Sequence, residues 1–311
     1  MMLKKIMFYK TIILIFLFTV NAGLAQVKLA PNERISAKDG AIQVYIPPGE
    51  YIMGVDDPEM PYEDAERPPH PVKITKGFWM DKYEITNEQF AGFLDKLLAG
   101  QGPAAKMHKF SKDCKPEQVY SMFRGRVDLE HPFCGLELDI DRRVVRVKPG
   151  WEKLPVMPVT WTGANEYCTT MGKRLPTEAQ WEYAGRGADG RKYPWGNKWR
   201  RTWANVATGK LAKIGSYPKD VSPFGVMDMA GNVREWVSDK FDLKYCSESP
   251  RENPANYAGA FAYVKRVIRG GGFAFTEWDS RTTSRGNRRY IYFPVGTGFR
   301  CAESGPPPSE K

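Results

Sequence analysis

Residues 225–236 read G-V-M-D-M-A-G-N-V-R-E-W, a stretch too broken by glycine for a long helix and too polar for a buried strand. Asp228, Asn232 and Glu235 supply oxygen atoms, and Gly231 lets backbone carbonyls approach closely, as a hard cation such as Ca²⁺ requires. The spacing is not that of an EF-hand. A polar turn whose carboxylates cap the neighbouring backbone is therefore the alternative interpretation.

The chain of 311 residues begins with a segment typical of a secretory signal peptide. Three lysines precede an apolar run over residues 11–20, and Gly23-Leu24-Ala25 forms a small-residue cleavage site. We therefore predict a signal peptide over residues 1–25 and an exported protein, either periplasmic or secreted. The apolar run is short for a membrane span, and a single uncleaved anchor is the alternative.

The formal net charge is +10, and four arginines are concentrated in residues 281–289. A solvated basic face is one interpretation of this segment. A binding surface for an anionic sugar, peptide or lipopolysaccharide group is the other. Nucleic acid is not an expected partner, because the predicted export and the absence of any nucleic-acid-binding motif argue against it.

The chain has five cysteines and three histidines, which limit the disulfides and metal sites that it can form. Export favours disulfides, and the odd number of cysteines leaves at least one thiol free or intermolecular. A local bridge between Cys114 and Cys134 is one pairing that the spacing allows, and the pairing of Cys246 stays open. The histidines are scattered, so a multi-histidine iron or zinc site is poorly supported.

The remaining patterns predict a single irregular α+β domain over residues 41–303. Thr86 and Thr177 each begin a helix with a capping box, whereas short strands, turns and aromatic residues fill most of the rest. The other segments are a polar lead over residues 26–40, an insertion or excursion within the domain over residues 101–150, and a disordered tail over residues 304–311.

Seven motifs in order resemble the formylglycine-generating enzyme, or sulfatase-modifying-factor, family. They are G-F-W-M-D-K-Y-E-I-T-N-E-Q-F (77–90), P-V-T-W (158–161), G-K-R-L-P-T-E-A-Q-W-E-Y (172–183), Y-P-W-G-N (193–197), G-N-V-R-E-W (231–236), R-G-G-G-F (269–273) and G-F-R-C-A (298–302). The resemblance covers roughly residues 41–302. It implies a C-type-lectin-like α+β domain with little regular secondary structure, stabilised by bound calcium.

The resemblance also implies calcium ligands at two places. At the first place they would be the side chains of Asp228 and Glu235 and the backbone carbonyls of Gly231 and Val233. The family more usually has asparagine at the position of Asp228, and a carboxylate there still suits Ca²⁺. A weaker second site would begin at Asn205 and Val206, but its downstream acidic ligand has no clear counterpart.

The cysteines are similar to the family pattern in one pair and differ from it in another. The resemblance implies a disulfide between Cys168 and Cys301, which would join the second helix to the C-terminal strand. A second family disulfide lacks both of its cysteines, because Gly185 and Arg285 stand at those positions. The loss of both partners together is consistent with a structural variant.

The largest departure from the family is at its copper site. Formylglycine-generating enzymes bind copper through two cysteines and use oxygen to oxidise a substrate cysteine, and here those positions hold Phe275 and Ser280. Gly272 and Arg234 stand where the family has its active-site serine and groove tryptophan. Neither copper nor sulfatase-activating oxidase chemistry is therefore expected. Iron, as in the sulfoxide synthases of this fold, is poorly supported by scattered histidines.

Two classes of function follow. A binding or assembly module of the cell envelope would recognise a peptide, a glycan or an envelope protein through aromatic residues mixed with arginines. These aromatic residues are Phe273, Phe275, Trp278, Tyr290, Tyr292 and Phe293, which could alternatively be core. A divergent oxidoreductase or siderophore-maturation type of enzyme would instead use polar groups of the groove, with Glu277 or Asp279 as base. The groove candidates are Arg234, Thr276, Glu277, Trp278, Asp279, Ser280 and Arg285, which could alternatively be solvated or ion-paired.

Overall fold

The computed structural model describes residues 29–57, 64–101, 115–257 and 264–308. The predicted signal peptide and Cys114 lie outside these residues. Across the described ranges, no helix is both long and apolar enough to cross a membrane.

Two four-stranded sheets form the frame. The first has the order β1-β2-β5-β12 and is antiparallel, so that Val44 pairs with Met80 and Met80 with Ala302. Its strands are β1 (Glu33–Ile35), β2 (Ile42–Ile46), β5 (Phe78–Asp81) and β12 (Ala302–Ser304). The sheet therefore joins both ends of the domain, which places the C-terminal strand beside strands from the first third of the chain.

The second sheet has the order β10-β9-β8-β11, and three of the seven family-like motifs overlap its strands. Its strands are β8 (Arg234–Lys240), β9 (Lys265–Arg269), β10 (Arg285–Arg289) and β11 (Thr297–Phe299). β11 pairs with β8 in parallel, whereas the other two pairings are antiparallel. Two hairpins complete the strands, one formed by β3 (Gly49–Met53) with β4 (His70–Ile74), the other by β6 (Leu136–Asp139) with β7 (Val144–Val147).

The helices are short and lie between the sheets' strands in sequence. They are α1 (Asn87–Leu98), α2 (Pro116–Arg124), α3 (Trp161–Thr170), α4 (Glu178–Arg186) and α5 (Tyr245–Glu248). The two predicted capping boxes are confirmed. The hydroxyls of Thr86 and Thr177 accept from the backbone amides of Gln89 and Gln180, and each glutamine side chain accepts from the backbone amide of its threonine.

Two large apolar clusters form the core. The first lies around α1 and α3 and includes Phe90, Phe93, Tyr167 and Phe299, whose rings contact one another at centroid distances of 5.2–6.0 Å. The second lies between the first sheet and α4 and includes Trp181. The predicted irregular α+β domain is confirmed, because short strands, short helices and long ordered turns share one core.

Regular structure occurs in three segments where the sequence predicts little of it. Residues 33–35 of the supposed lead form β1, and Ser304 of the supposed tail belongs to β12. The predicted excursion over residues 101–150 contains α2 and the β6–β7 hairpin, and Phe123 and Leu136 are buried in the α1–α3 core. These elements escaped prediction because each is short and carries many charged residues on its exposed side.

Candidate functional site

The region that corresponds to the family's groove is built by the start of β8 and the loop between β9 and β10. Arg234, the first residue of β8, is 9% exposed and donates from Nε to the Gly270 carbonyl at 3.2 Å. A Cβ on Gly286 would lie 2.2 Å from a guanidinium nitrogen of Arg234, so the glycine leaves the space that this side chain fills. Arg234 is thus largely buried, with its guanidinium beside Gly270 and Gly286.

Phe275 and Ser280, at the positions of the family's copper-binding cysteines, make structural contacts in this chain. The guanidinium carbon of Arg234 lies 4.9 Å from the centroid of the Phe275 ring, which is cation–π distance. Ser280 is 0% exposed, and its hydroxyl donates to the Thr276 carbonyl at 3.0 Å. Neither side chain can supply a thiolate, and both take part in holding the loop.

The exposed part of this loop contains Glu277, Trp278 and Asp279. Asp279 accepts from both the amide and the hydroxyl of Thr276, at 3.0 and 2.8 Å, so it stabilises a local turn. Trp278 is 48% exposed, and Lys192 Nζ lies 5.4 Å from its ring centroid. Glu277 and Asp279 were the two predicted acidic candidates, and only Asp279 stabilises the turn through its carboxylate.

Arg285 does not join the groove. β-strand neighbours point to opposite faces, so Arg285 points away from the face on which Gly286 contacts Arg234. Its guanidinium makes two bonds to the Glu178 carboxylate, at 2.6 and 2.9 Å, and a third to the Ala65 carbonyl. Of the two interpretations given for Arg285, a groove residue or an ion-paired group, the structure has the ion-paired group, buried in the interior.

Arg285 belongs to a buried set of ion pairs that we name the arginine network. Its members are Arg269, Arg281 and Arg285 with Glu66, Glu178 and Glu182. Arg269 reaches Glu178 and Glu182 at 3.2 and 2.6 Å, and all six side chains are at most 2% exposed. The network joins α4 to β9 and β10, the two regions that the missing family disulfide would have connected.

A second surface lies at the turn after β10. Ile291, Tyr292 and Val295 are 53%, 49% and 45% exposed, and Phe133 is 36% exposed. The Phe133 ring contacts the Phe273 ring at a tilt of 52°, with centroids 5.6 Å apart. We name Phe133, Ile291, Tyr292 and Val295 the apolar rim. The sequence pattern missed Phe133, because it lies in the segment predicted to be an excursion, and Phe273 proved to be core.

The predicted calcium loop is buried and its carboxylates already have partners. Both Glu235 oxygens accept from Arg300 at 2.7 Å, and Oε2 also accepts from the Trp181 indole at 2.9 Å. Asp228 adopts a positive φ of 61° and accepts from the Gly215 amide at 2.6 Å. Asp228 therefore fits a cation better than Glu235, which would have to exchange Arg300 for the ion.

Acidic groups outnumber cations around this loop. Burial, reinforced by the negative charge of Asp228, raises the pKa of Glu84 and of Asp220 well above the usual carboxyl range. Burial also raises the pKa of Asp228 to about 6. The two oxygens of Glu84 accept no hydrogen bond from the described residues. A bound cation would relieve this excess of negative charge, but within the described ranges no group of three or more His, Cys, Asp or Glu side chains is arranged to hold a metal.

The weaker calcium position at Asn205 and Val206 is occupied by protein contacts. The Asn205 carbonyl oxygen accepts from the Thr208 hydroxyl at 2.6 Å, and its amide donates to Asn232 and to the Lys210 carbonyl at 3.0 Å. The side chain holds a loop together, and both lone pairs of its oxygen are already in use because the Tyr217 hydroxyl also donates to it, at 3.4 Å.

The predicted disulfide is confirmed. Cys168 of α3 and Cys301, between β11 and β12, are bonded across 133 residues of sequence. Cys134 and Cys246 are buried free thiols, so the predicted local bridge from Cys134 is absent, and its proposed partner Cys114 lies outside the described residues. Burial raises the pKa of both free thiols to about 11.

Residues 30–304 match the family model of the sulfatase-modifying factor enzyme 1-like domain. The chain belongs to this family. It is 31% identical to the formylglycine-generating enzyme of Streptomyces coelicolor, over 84% of this chain and 88% of that protein. It is 30% identical to the inactive C-alpha-formylglycine-generating enzyme 2 of Bos taurus, over 86% of this chain and 90% of that protein. Family membership therefore does not decide between an active and an inactive relative.

Two further comparisons concern domain extent and fold. The chain is 32% identical to the serine/threonine-protein kinase Pkn1 of Chlamydia trachomatis over 84% of its own residues, but it spans only 38% of that protein. The solved structure of PvdO from Pseudomonas aeruginosa matches with a TM-score of 0.66 and 23% identity, covering 89% of this chain and 99% of that one. At this identity the match supports the fold alone.

Proposed function

We propose that this member of the sulfatase-modifying-factor family is an exported binding module of the cell envelope and not a sulfatase-activating oxidase. The observation that carries the proposal is the replacement of the copper ligands. Phe275 packs under Arg234, and Ser280 is buried within its loop. Without two thiolates at these positions, soft-ligand binding of Cu(I) has no basis in the groove.

The surface beside the groove supports binding. The apolar rim presents aliphatic and aromatic side chains, and Arg288 and Arg289 are exposed next to it on β10. Exposed aromatic residues with arginines are typical of sites that recognise peptides or glycans. An acidic peptide or acidic oligosaccharide of the envelope fits this combination of charge and apolar area.

Binding can be tested with an acidic peptide and an acidic oligosaccharide of matched charge. We expect Ile291→Ala and Tyr292→Ala to weaken binding of one of these probes about tenfold, as for residues near the centre of an interface. Ile35→Ala is the matched control, because Ile35 is 51% exposed on β1 and Ile291 is 53% exposed. Equal affinities for the wild type and both rim variants would contradict the proposal.

An enzyme without copper is the second candidate, of the oxidoreductase or siderophore-maturation type. The half-buried Glu277 beside Trp278 favours it, because this carboxylate is not consumed by a local turn and could act as a base. Such an enzyme would lose turnover in a Glu277→Gln variant whose rim affinity is unchanged. The binding module would keep its affinity for the probe in this variant.

Calcium is proposed as a structural ion of this module. The support is the excess of buried carboxylates around Arg300, namely Glu84, Asp220 and Asp228. The ion would hold in place the loop that precedes β8. Export, which an intact disulfide favours, would also supply the calcium concentration that such a site needs.

A further inference from the structure

A cavity of about 560 Å³ lies away from the groove, against the first helix. Its walls are the turn between β1 and β2, the outward face of α1, the C-terminal end of α3 and two loops around Lys153 and Ile214. None of its lining residues is a groove or rim residue. Its volume is within the range of about 300–1,000 Å³ that small-molecule sites occupy.

Gly92 forms part of the α1 wall of this cavity. The glycine is exposed in the middle of α1, and a Cβ built on it would meet no atom within 4 Å. A mid-helix glycine lowers helix stability relative to alanine. No packing contact requires the glycine, and a side chain larger than that of alanine at this position would extend along the cavity wall.

Two ammonium groups converge at one end of the cavity. Lys96 Nζ lies 3.9 Å from Met171 Sδ and 3.5 Å from the Lys38 carbonyl. A Cβ on Gly172 would lie 2.6 Å from Lys38 Nζ, so this second ammonium group is held over the same turn. The two lysines therefore bring two positive charges to the end of α3.

Two of the three carboxylates that line the cavity are paired with other cations, and burial raises the pKa of the third, Glu84, well above the usual carboxyl range. Asp39 is bonded to Lys173 at 2.8 Å, and Glu88 to Lys153 at 2.7 Å. Throughout the described part of the chain, no carboxylate pairs with Lys38 or Lys96. An anion bound at the end of α3 would therefore gain two charge-assisted contacts without displacing an internal partner.

The rest of the lining is largely apolar. Ile42 and Ile214 are half-buried, Ile85 and Met171 are buried, and all four line the cavity. We propose that the cavity is a second binding site, specific for a small organic acid whose carboxylate or sulfonate pairs with Lys38 and Lys96 and whose apolar body lies along Gly92. This site is independent of the groove and of the function proposed for it.

The test uses the full chain and the fluorescent anion 8-anilinonaphthalene-1-sulfonate. The wild type binds this probe, and decanoate displaces it. Gly92→Trp fills the cavity and weakens binding about tenfold or more, because an indole takes the place of the ligand body. Gly92→Ala is the matched control: it keeps the affinity within about twofold and raises the melting temperature, as expected for alanine in a helix.

A second variant tests the charge recognition and does not depend on the Gly92 variant folding. Lys38→Gln combined with Lys96→Gln weakens decanoate about tenfold, since two charge-assisted contacts are lost, but leaves decanol unchanged. Lys198→Gln, at an exposed lysine outside the cavity, leaves both affinities unchanged. If the lysines only stabilise the ends of α1 and α3, the double variant melts earlier and binds decanoate as the wild type does, which overturns the proposal. Absence of probe binding to the wild type also overturns it, as does wild-type affinity in a folded Gly92→Trp protein.

Discussion

Two regions of this molecule fasten a helix to C-terminal strands by different chemistry. In the first, a covalent bond from Cys168 to Cys301 joins α3 to the segment before β12. In the second, the arginine network joins α4 to β9 and β10, with Arg285 bonded to both oxygens of Glu178. Gly185 and Arg285 stand at the positions of a family disulfide, so ion pairs now connect the elements that a second disulfide would have connected.

The disulfide and the arginine network differ in the effect of removing one of their residues. A disulfide stabilises mainly by limiting the unfolded chain, and its removal from the apolar core around Tyr167 and Phe299 leaves no unpaired charge behind. A buried ion pair adds little net stability when complete, yet removal of one partner leaves an uncompensated charge in the interior. The network should therefore be the more sensitive region to single substitutions.

One tryptophan connects the two regions. The Trp181 indole of α4 donates to Glu235, which is paired with Arg300, the neighbour of the disulfide residue Cys301. The guanidinium of Arg269 lies 5.3 Å from the Trp181 ring centroid, so the same side chain also contacts the network. Energetic coupling between the regions should pass through this residue.

The largest expected effect follows from breaking the network. Arg285→Met removes both bonds to the Glu178 carboxylate, which keeps only the longer bond from Arg269, at 3.2 Å. We expect a loss of about 3–5 kcal/mol in the free energy of unfolding, measured by denaturant titration under oxidising conditions. Arg288→Met is the control, because Arg288 is exposed on the same strand. A similar stability of the two variants would show that the network is dispensable.

The next effect comes from removing the disulfide. Replacing Cys168 and Cys301 together by serine should cost about 2–4 kcal/mol, since the bond closes a long loop. Combining this change with Arg285→Met measures the coupling of the two regions. Costs that add within about 0.5 kcal/mol would show independent regions, whereas a larger deviation would support the connection through Trp181.

A smaller effect depends on pH and concerns the edge of the network. Burial and the neighbouring negative charge of Glu178 raise the pKa of Asp239 from 3.8 to about 6. The folded state then binds this proton more tightly than the unfolded state, so stability falls as the pH rises from about 4 to about 6, by about 2–3 kcal/mol. Asp239→Asn should lose this contribution. Parallel stability curves for the wild type and the variant across this pH range would exclude it.

The smallest expected effect sharpens the role of the loop between the regions. Calcium at ten times its dissociation constant should stabilise the wild type by about 1.4 kcal/mol, and Asp228→Ala should abolish this gain. The melting temperature with calcium or chelator measures it, with the exposed Asp141→Ala as control. A chelator that leaves the wild-type melting temperature unchanged would remove calcium from the account.

Local patterns predicted the parts of this fold that depend on neighbours in sequence. The capping boxes at Thr86 and Thr177 were predicted because their bonds span three residues. The irregular α+β class was predicted from the mixture of capped helices with short strands and turns, whereas the pair Cys168–Cys301 came from the family resemblance. Both were confirmed, and the disulfide needed the motif order because that order carries tertiary information that periodicity lacks.

Features that depend on distant contacts were not predictable in this way. Arg285 was expected in the groove because the chain direction does not reveal Glu178, which lies 107 residues earlier in the sequence. The helix and hairpin within residues 101–150 were missed because short amphipathic elements need the surrounding core to define their buried face. No sequence motif predicts the cavity beside Gly92. The one indication in the sequence is a glycine in the middle of a predicted helix, where alanine would be more stable.

The central claim, that this scaffold has lost copper chemistry at its groove, is tested most directly by Cu(I) titration of the purified protein. Wild type is compared with the Phe275→Cys, Ser280→Cys double variant, which restores the two thiolates at the family positions. We expect no stoichiometric Cu(I) binding by the wild type and tight binding by the double variant, because two thiolates are the soft ligands that Cu(I) requires. Stoichiometric Cu(I) in the wild type that survives Phe275→Ala and Ser280→Ala, with oxidation of a substrate cysteine, would contradict the account.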